Sequence, residues 1–89
     1  MMTKKQYTII SEVGLHARPA TVLVQKASQF TSDIEIEYNN KKVNVKSIMG
    51  VMSLGLAKDE TFQLHINGVD EDEALAGIEE LFDNEGIAK

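Results

Sequence analysis

Two alternating segments around a pair of asparagines restrict the fold more than any other feature of the chain. Ile34, Ile36 and Tyr38 alternate with Asp33, Glu35 and Glu37, and after Asn39-Asn40 come Val43 and Val45, alternating with Lys42, Asn44 and Lys46. A period of two puts the apolar members on one face of a pleated strand, and asparagine tolerates the positive φ that a two-residue hairpin turn requires. The segment is therefore predicted to be an antiparallel hairpin. Its acidic strand would face lysines across the solvent side, and its apolar face must be covered by something else.

Helices supply that cover. Ala20, Leu23, Val24 and Ala27 fall at i, i+3, i+4 and i+7, the stripe of a helix that buries one side. The helix is predicted to begin near Ala17, with Pro19, the only proline, in its first turn, where a missing N–H costs nothing. Leu75, Ile78, Leu81 and Phe82 form the stripe of a last helix, opened by a variant capping box from Asp70 and Glu73 and closed by Gly86. Between them, Ser47 and Gly55 suit the two ends of a short two-turn helix.

Two further strands complete the pattern. Tyr7 and Ile9 alternate with Gln6 and Thr8 before Gly14 interrupts them. Phe62, Leu64 and Ile66 face inward while Thr61, Gln63, His65 and Asn67 face out, ending at Asn67-Gly68. His65 is thereby assigned to the solvated surface. The order strand, helix, strand, strand, helix, strand, helix predicts an α+β two-layer open-faced sandwich: a four-stranded antiparallel sheet with three helices on one face. No repeat, low-complexity stretch or linker divides it, so residues 1–89 are read as a single domain.

Composition narrows the chemistry. Hydrophobic residues at 43% and charged residues at 26% suit a folded globular chain rather than a disordered one. Without cysteine, disulfides and thiol catalysis are excluded, and two histidines supply a zinc site poorly, so neither metal nor cofactor is expected. The polar start and the lack of a long apolar run point to a cytoplasmic protein without membrane insertion. A net charge of -5 argues against direct binding to nucleic acid or anionic lipid, leaving proteins and small anions as partners.

One histidine stands where an anion would be welcome. In Gly14-Leu15-His16-Ala17-Arg18-Pro19-Ala20, His16 precedes the first helix and the chain's only arginine follows two residues later. A helix N-terminus offers unpaired N–H groups and partial positive charge, and a guanidinium binds phosphate oxygens in a fork. The same positive end disfavours an imidazolium, which leaves the ring lone pair that a phosphoryl acceptor needs. An H-x-R-P string alone is most often an ordinary helix start with a solvated arginine. The second informative stretch is Ser47 to Leu54: at about 100° per residue, Ile48, Met49, Val51, Met52 and Leu54 spread around most of a helix circumference, so some must face solvent. Val51 and Leu54 are expected in the core, and the exposed methionines make adaptable docking groups.

The full run G-L-H-A-R-P-A resembles, residue for residue, the active-site signature of the HPr family, and the likeness extends from Tyr7 to the helix ending near Gly86. The resemblance implies a phosphocarrier of the sugar phosphotransferase system rather than a turnover enzyme. His16 would accept a phosphoryl group from enzyme I and pass it to IIA components of sugar permeases, with Arg18 contacting the phosphate and the Ala17 N–H in its cradle. Partner docking falls to Thr21, Ile48, Met49 and Met52. Lys46 to Gly55 is similar to the regulatory segment of relatives whose serine is phosphorylated by an HPr kinase/phosphorylase. Ser47 is then the regulatory site, and its phosphorylated form would bind a catabolite control protein. A monomer is expected. Val13 departs from the family by standing where polar residues are common, and Asp59-Glu60 occupies a turn that often carries glycine. Two alternatives stay open on the residues alone: a purely regulatory HPr-like protein, and a small acylphosphatase-like hydrolase that cradles phosphate.

Overall fold

In the computed structural model, which describes residues 2–89, the hairpin sits at one side of a four-stranded sheet. The elements are β1 (Met2–Thr8), α1 (Ala17–Ala27), β2 (Asp33–Tyr38), β3 (Lys41–Asn44), α2 (Ile48–Met52), β4 (Thr61–Asn67) and α3 (Glu71–Glu85). The strands lie in the order β1-β4-β2-β3, and every neighbouring pair is antiparallel. Asn39 and Asn40 take φ of 54° and 63° at the tip of the hairpin, the double left-handed conformation foreseen for its turn. The predicted architecture is the observed one.

The core forms where the inward residues of the sheet meet the helix stripes. Ile34, Ile36, Phe62, Leu64 and Ile66 lie against Ala20, Leu23 and Ala27 of α1 and Ala74, Ile78 and Phe82 of α3, all fully or almost fully buried. Each large apolar side chain in this set contributes about 1.5–3 kcal/mol relative to exposure. Tyr7, Phe62 and Phe82 form an aromatic triangle, with the Tyr7 and Phe82 rings edge to face at 5.1 Å. The Tyr7 hydroxyl escapes the apolar surroundings by donating to Glu79 at 2.8 Å, which joins β1 to α3.

Four features depart from the sequence reading. Strand β1 begins at Met2 rather than near Gln6, because its polar first half pairs with β4 in unbroken register from Met2↔Asn67 to Thr8↔Thr61. His65 keeps the outward parity assigned to it but is only 6% exposed, so its placement on the solvated surface is corrected. β4 is an interior strand, and His65 lies between Lys4 and Glu35 on the two flanking strands while its Nε2 meets the Glu37 carboxylate at 2.9 Å. Asp70 stands at the N-cap of α3 without capping it, so the capping box does not form: the carboxylate reaches across to Thr31 and Ser32 instead. Finally, residues 87–89 were given no partner by the sequence. They pair with the end of β1, where Thr8 and Lys89 exchange two 2.9 Å backbone hydrogen bonds.

Candidate functional site

The site is built at the mouth of α1, and its loop is fixed before the helix begins. Gly14 takes φ +72° and packs so tightly on the chain at Leu56 that an added Cβ would lie 2.4 Å from the Leu56 carbonyl oxygen. That carbonyl accepts the Leu15 N–H at 2.9 Å, and Leu15 is itself buried. Ile87 secures the other side of the loop, since its carbonyl accepts the N–H groups of Ile10 at 2.9 Å and Ser11 at 3.4 Å. Behind Leu56, the Glu60 carboxylate accepts from the Ala57 N–H at 2.7 Å and from the Tyr38 hydroxyl. The Tyr38 contact first, and the Ala57 N–H second, hold Glu60 below the usual carboxylate range. Asp59 adopts φ 74° in this turn, the conformation that aspartate tolerates better than most residues.

His16 emerges from this frame as the N-cap of α1, in extended backbone geometry, with its side chain exposed and making no capping bond. Its carbonyl starts the helix by accepting the Ala20 N–H at 3.0 Å. The N–H groups of the first turn lie beside it, those of Ala17 and Arg18 among them, with Pro19 contributing none. Arg18 is exposed and makes no hydrogen bond or ion pair with another described side chain, so its guanidinium is available to an incoming anion. Thr21 is exposed one turn further on, and its hydroxyl is spent on the Ala17 carbonyl at 2.8 Å.

His16 and Arg18 share a cleft with Ser11, Pro19, Glu85 and Ile87. The cleft thus lies between the first turn of α1 and the C-terminal end of α3. Sequence reasoning brought His16 and Arg18 together but missed Ser11, Glu85 and Ile87. Their one advance signal was the glycine at position 86, whose φ of 62° turns the chain out of α3 and back along the loop.

Ser47 caps α2 as expected, its hydroxyl accepting the Gly50 N–H at 3.1 Å. The five-residue helix sorts its side chains as the circumference argument required. Val51 and Leu54 are in the core, while Ile48, Met52 and above all Met49, 79% exposed, face solvent. α2 packs on α1, so this apolar surface belongs to the same helical layer as His16. No group of three or more histidine, cysteine, aspartate or glutamate side chains able to hold a metal ion occurs among the described residues. No helix among them is long and apolar enough to cross a membrane.

A family model described as the PTS HPr component phosphorylation site matches residues 3–84. The chain belongs to the HPr family. Solved structures agree. It is similar to a histidine-containing phosphocarrier protein of Mycoplasma, at 37% identity over 98% of this chain and 99% of that one, with a TM-score of 0.93. It is similar to the phosphocarrier protein HPr of Bacillus anthracis, at 40% identity over 90% and 95% of the two chains, with a TM-score of 0.84. Crh, a Bacillus subtilis protein of catabolite repression described as a swapped dimer, matches at 45% identity over 84% and 86%, with a TM-score of 0.73. The protein is accordingly a phosphocarrier of the phosphotransferase system family, and sugar transport follows from that membership.

Proposed function

We propose that His16 is the phosphoryl acceptor of this carrier, taking the group from phosphorylated enzyme I and giving it up to IIA components of sugar permeases. The observation that carries the reading is the exposed imidazole of His16 at the start of α1, uncommitted to any cap and two residues from an unpaired arginine. A ring nitrogen attacks phosphorus and a P–N bond replaces the bond to the donor. Arg18 and the Ala17 N–H hold the phosphoryl oxygens as charge builds on them. No water-activating base is needed, because the partners supply the remaining groups, and the protein acts as an intermediate rather than a turnover enzyme.

Docking is assigned to Thr21, Ile48, Met49 and Met52 on the helical layer. Phosphate on Ser47, added by an HPr kinase/phosphorylase, would place about two negative charges beside that surface, weakening approach to enzyme I and creating the form that a catabolite control protein recognises. The protein is taken to work in the cytoplasm as a monomer of one domain. The Crh likeness favours a second reading, in which Ser47 is the sole phosphorylation site. His16 and Arg18 support the carrier reading against it.

Incubation with phosphoenolpyruvate and enzyme I, followed by intact mass before and after mild acid, decides between them. One acid-labile phosphoryl group that disappears in His16→Ala is the expected result. An unmodified protein beside an active enzyme I leaves the regulatory reading.

A further inference from the structure

One peptide unit beneath the His16 loop is held from both sides. The carbonyl of the peptide joining Leu56 to Ala57 accepts the Leu15 N–H at 2.9 Å, and the N–H of the same peptide donates to one oxygen of the Glu60 carboxylate at 2.7 Å. A peptide is planar, so neither group can turn without the other. The second Glu60 oxygen accepts from the Tyr38 hydroxyl at the end of β2. A chain of hydrogen bonds thus runs from Tyr38 through Glu60 and one peptide to Leu15, the residue before His16. Other ties hold this turn against the loop without fixing that rotation. The Ile9 N–H donates to the Glu60 carbonyl and the Ile9 carbonyl accepts the Asp59 N–H, both at 2.9 Å, and Lys58 pairs with Glu12.

We infer that Glu60 is a positioning residue for phosphoryl transfer, acting through the peptide between Leu56 and Ala57 to set where His16 presents its ring. The inference rests on the carrier reading above. Glu60 does not line the cleft of His16, so it acts at one remove. Its carboxylate on the Ala57 N–H polarises the peptide and makes the Leu56 carbonyl a stronger acceptor for the Leu15 N–H. Gly14 packs on the same carbonyl and Leu15 is buried, so this one oxygen fixes both residues that lead into His16. The His16 side chain is exposed and makes no capping bond, which leaves the aim of its ring to the backbone that carries it. Attack on phosphorus tolerates little error in that aim, since a misplacement of about 1 Å can cost about 100-fold in rate. Without the Glu60 carboxylate the peptide is free to rotate, and the Leu15 N–H loses its partner.

The test is single-turnover transfer from phosphorylated enzyme I to wild type, Glu60→Ala, Glu60→Gln and Tyr38→Phe, over carrier concentrations that separate the maximal rate from the half-saturating concentration. All are measured where the proteins are folded. Glu60→Ala should lower the maximal rate by about tenfold and leave half-saturation unchanged, because no docking side chain is altered. Glu60→Gln should recover most of the rate, since its amide oxygen still accepts the Ala57 N–H. Tyr38→Phe should lose less than Glu60→Ala, and should add nothing to it in the double variant, because Tyr38 acts only through Glu60. The Leu15 amide proton should move upfield in the NMR spectrum of Glu60→Ala and return in Glu60→Gln. Ile78→Val, a truncation in the core away from the loop, controls for stability: it should lower the unfolding midpoint and keep the maximal rate. A wild-type maximal rate in Glu60→Ala, or a change confined to half-saturation, overturns the inference while leaving the carrier reading intact. So does an equal loss of rate in Ile78→Val. Absence of phosphoryl transfer to wild type beside an active enzyme I overturns the carrier reading and the inference with it.

Discussion

Asp70 grips Ser32 through both backbone and side chain: one carboxylate oxygen accepts the Ser32 N–H at 2.9 Å and the Ser32 hydroxyl as well, while the other takes the Thr31 N–H at 2.9 Å. The segment between α1 and β2 is thereby tied to the start of α3. Gly68 allows the approach, since a Cβ there would lie 2.4 Å from the Ser32 hydroxyl oxygen.

The Asp70 contact makes stability acid-sensitive. The Ser32 hydroxyl first, and then the Thr31 N–H, bring Asp70 down to about 2 from the ordinary 3.8. A carboxylate lowered in the folded state binds fewer protons there than in the unfolded chain. Its contribution is therefore fully present above pH 3.8 and is lost as pH falls toward about 2. Urea midpoints measured from neutral pH down to pH 2 should fall in that window, and Asp70→Asn should show a lower midpoint at neutral pH and a shallower fall.

Gly14→Ala should damage both stability and transfer. Its Cβ would meet the Leu56 carbonyl oxygen at 2.4 Å in a left-handed backbone conformation, so a loss of about 2 kcal/mol or more is expected. Urea unfolding gives the first quantity, and the rate of phosphoryl acceptance from enzyme I, under conditions where the variant is folded, gives the second. A wild-type rate would show that the Leu56 contact does not position His16.

Two substitutions at Ser47 separate its capping role from the regulatory role proposed for it. Ser47→Ala removes the bond to the Gly50 N–H and should cost about 1 kcal/mol. Ser47→Asp preserves a capping oxygen and adds charge, so it should unfold close to wild type while raising KM for enzyme I.

Arg18→Ala should leave the unfolding midpoint unchanged, because the side chain is exposed and unpaired with any described neighbour. It should lower kcat/KM for enzyme I by about 10- to 100-fold, the scale of one hydrogen-bonded charge contact. Arg18→Lys should recover part of that loss through its charge without restoring the planar fork.

Local chemistry was legible and tertiary context was not. Asn39-Asn40 fixed a turn whose φ values the sequence anticipated, and the crowding of Ile48, Met49 and Met52 foretold their exposure, since both depend on short-range geometry. His65 shows where such reasoning stops. Parity gave its face correctly, but burial depended on β4 lying between β1 and β2 and on the reach of Glu37. Asp70 looked like a local cap because its spacing to Glu73 fitted one, yet donors almost forty residues earlier in the chain won its carboxylate. Glu85 escaped for the same reason: nothing near it in sequence reveals that α3 ends beside His16. Residue chemistry singled out His16 and Arg18 as a place for an anion, and the family resemblance favoured that reading over an ordinary helix start.

The pairing of residues 87–89 with the end of β1 also sets an order of assembly. His16 lies far ahead of Ile87 in the sequence, and α1 can form as soon as its own turns are available. The carbonyl of Ile87 that steadies Ile10 and Ser11 is made long after them, as is β4, the partner of β1. Contacts of such long sequence separation form slowly and late. A chain that has not yet joined residues 87–89 to the end of β1 therefore carries His16 without the closed cleft that Ser11, Glu85 and Ile87 help to line.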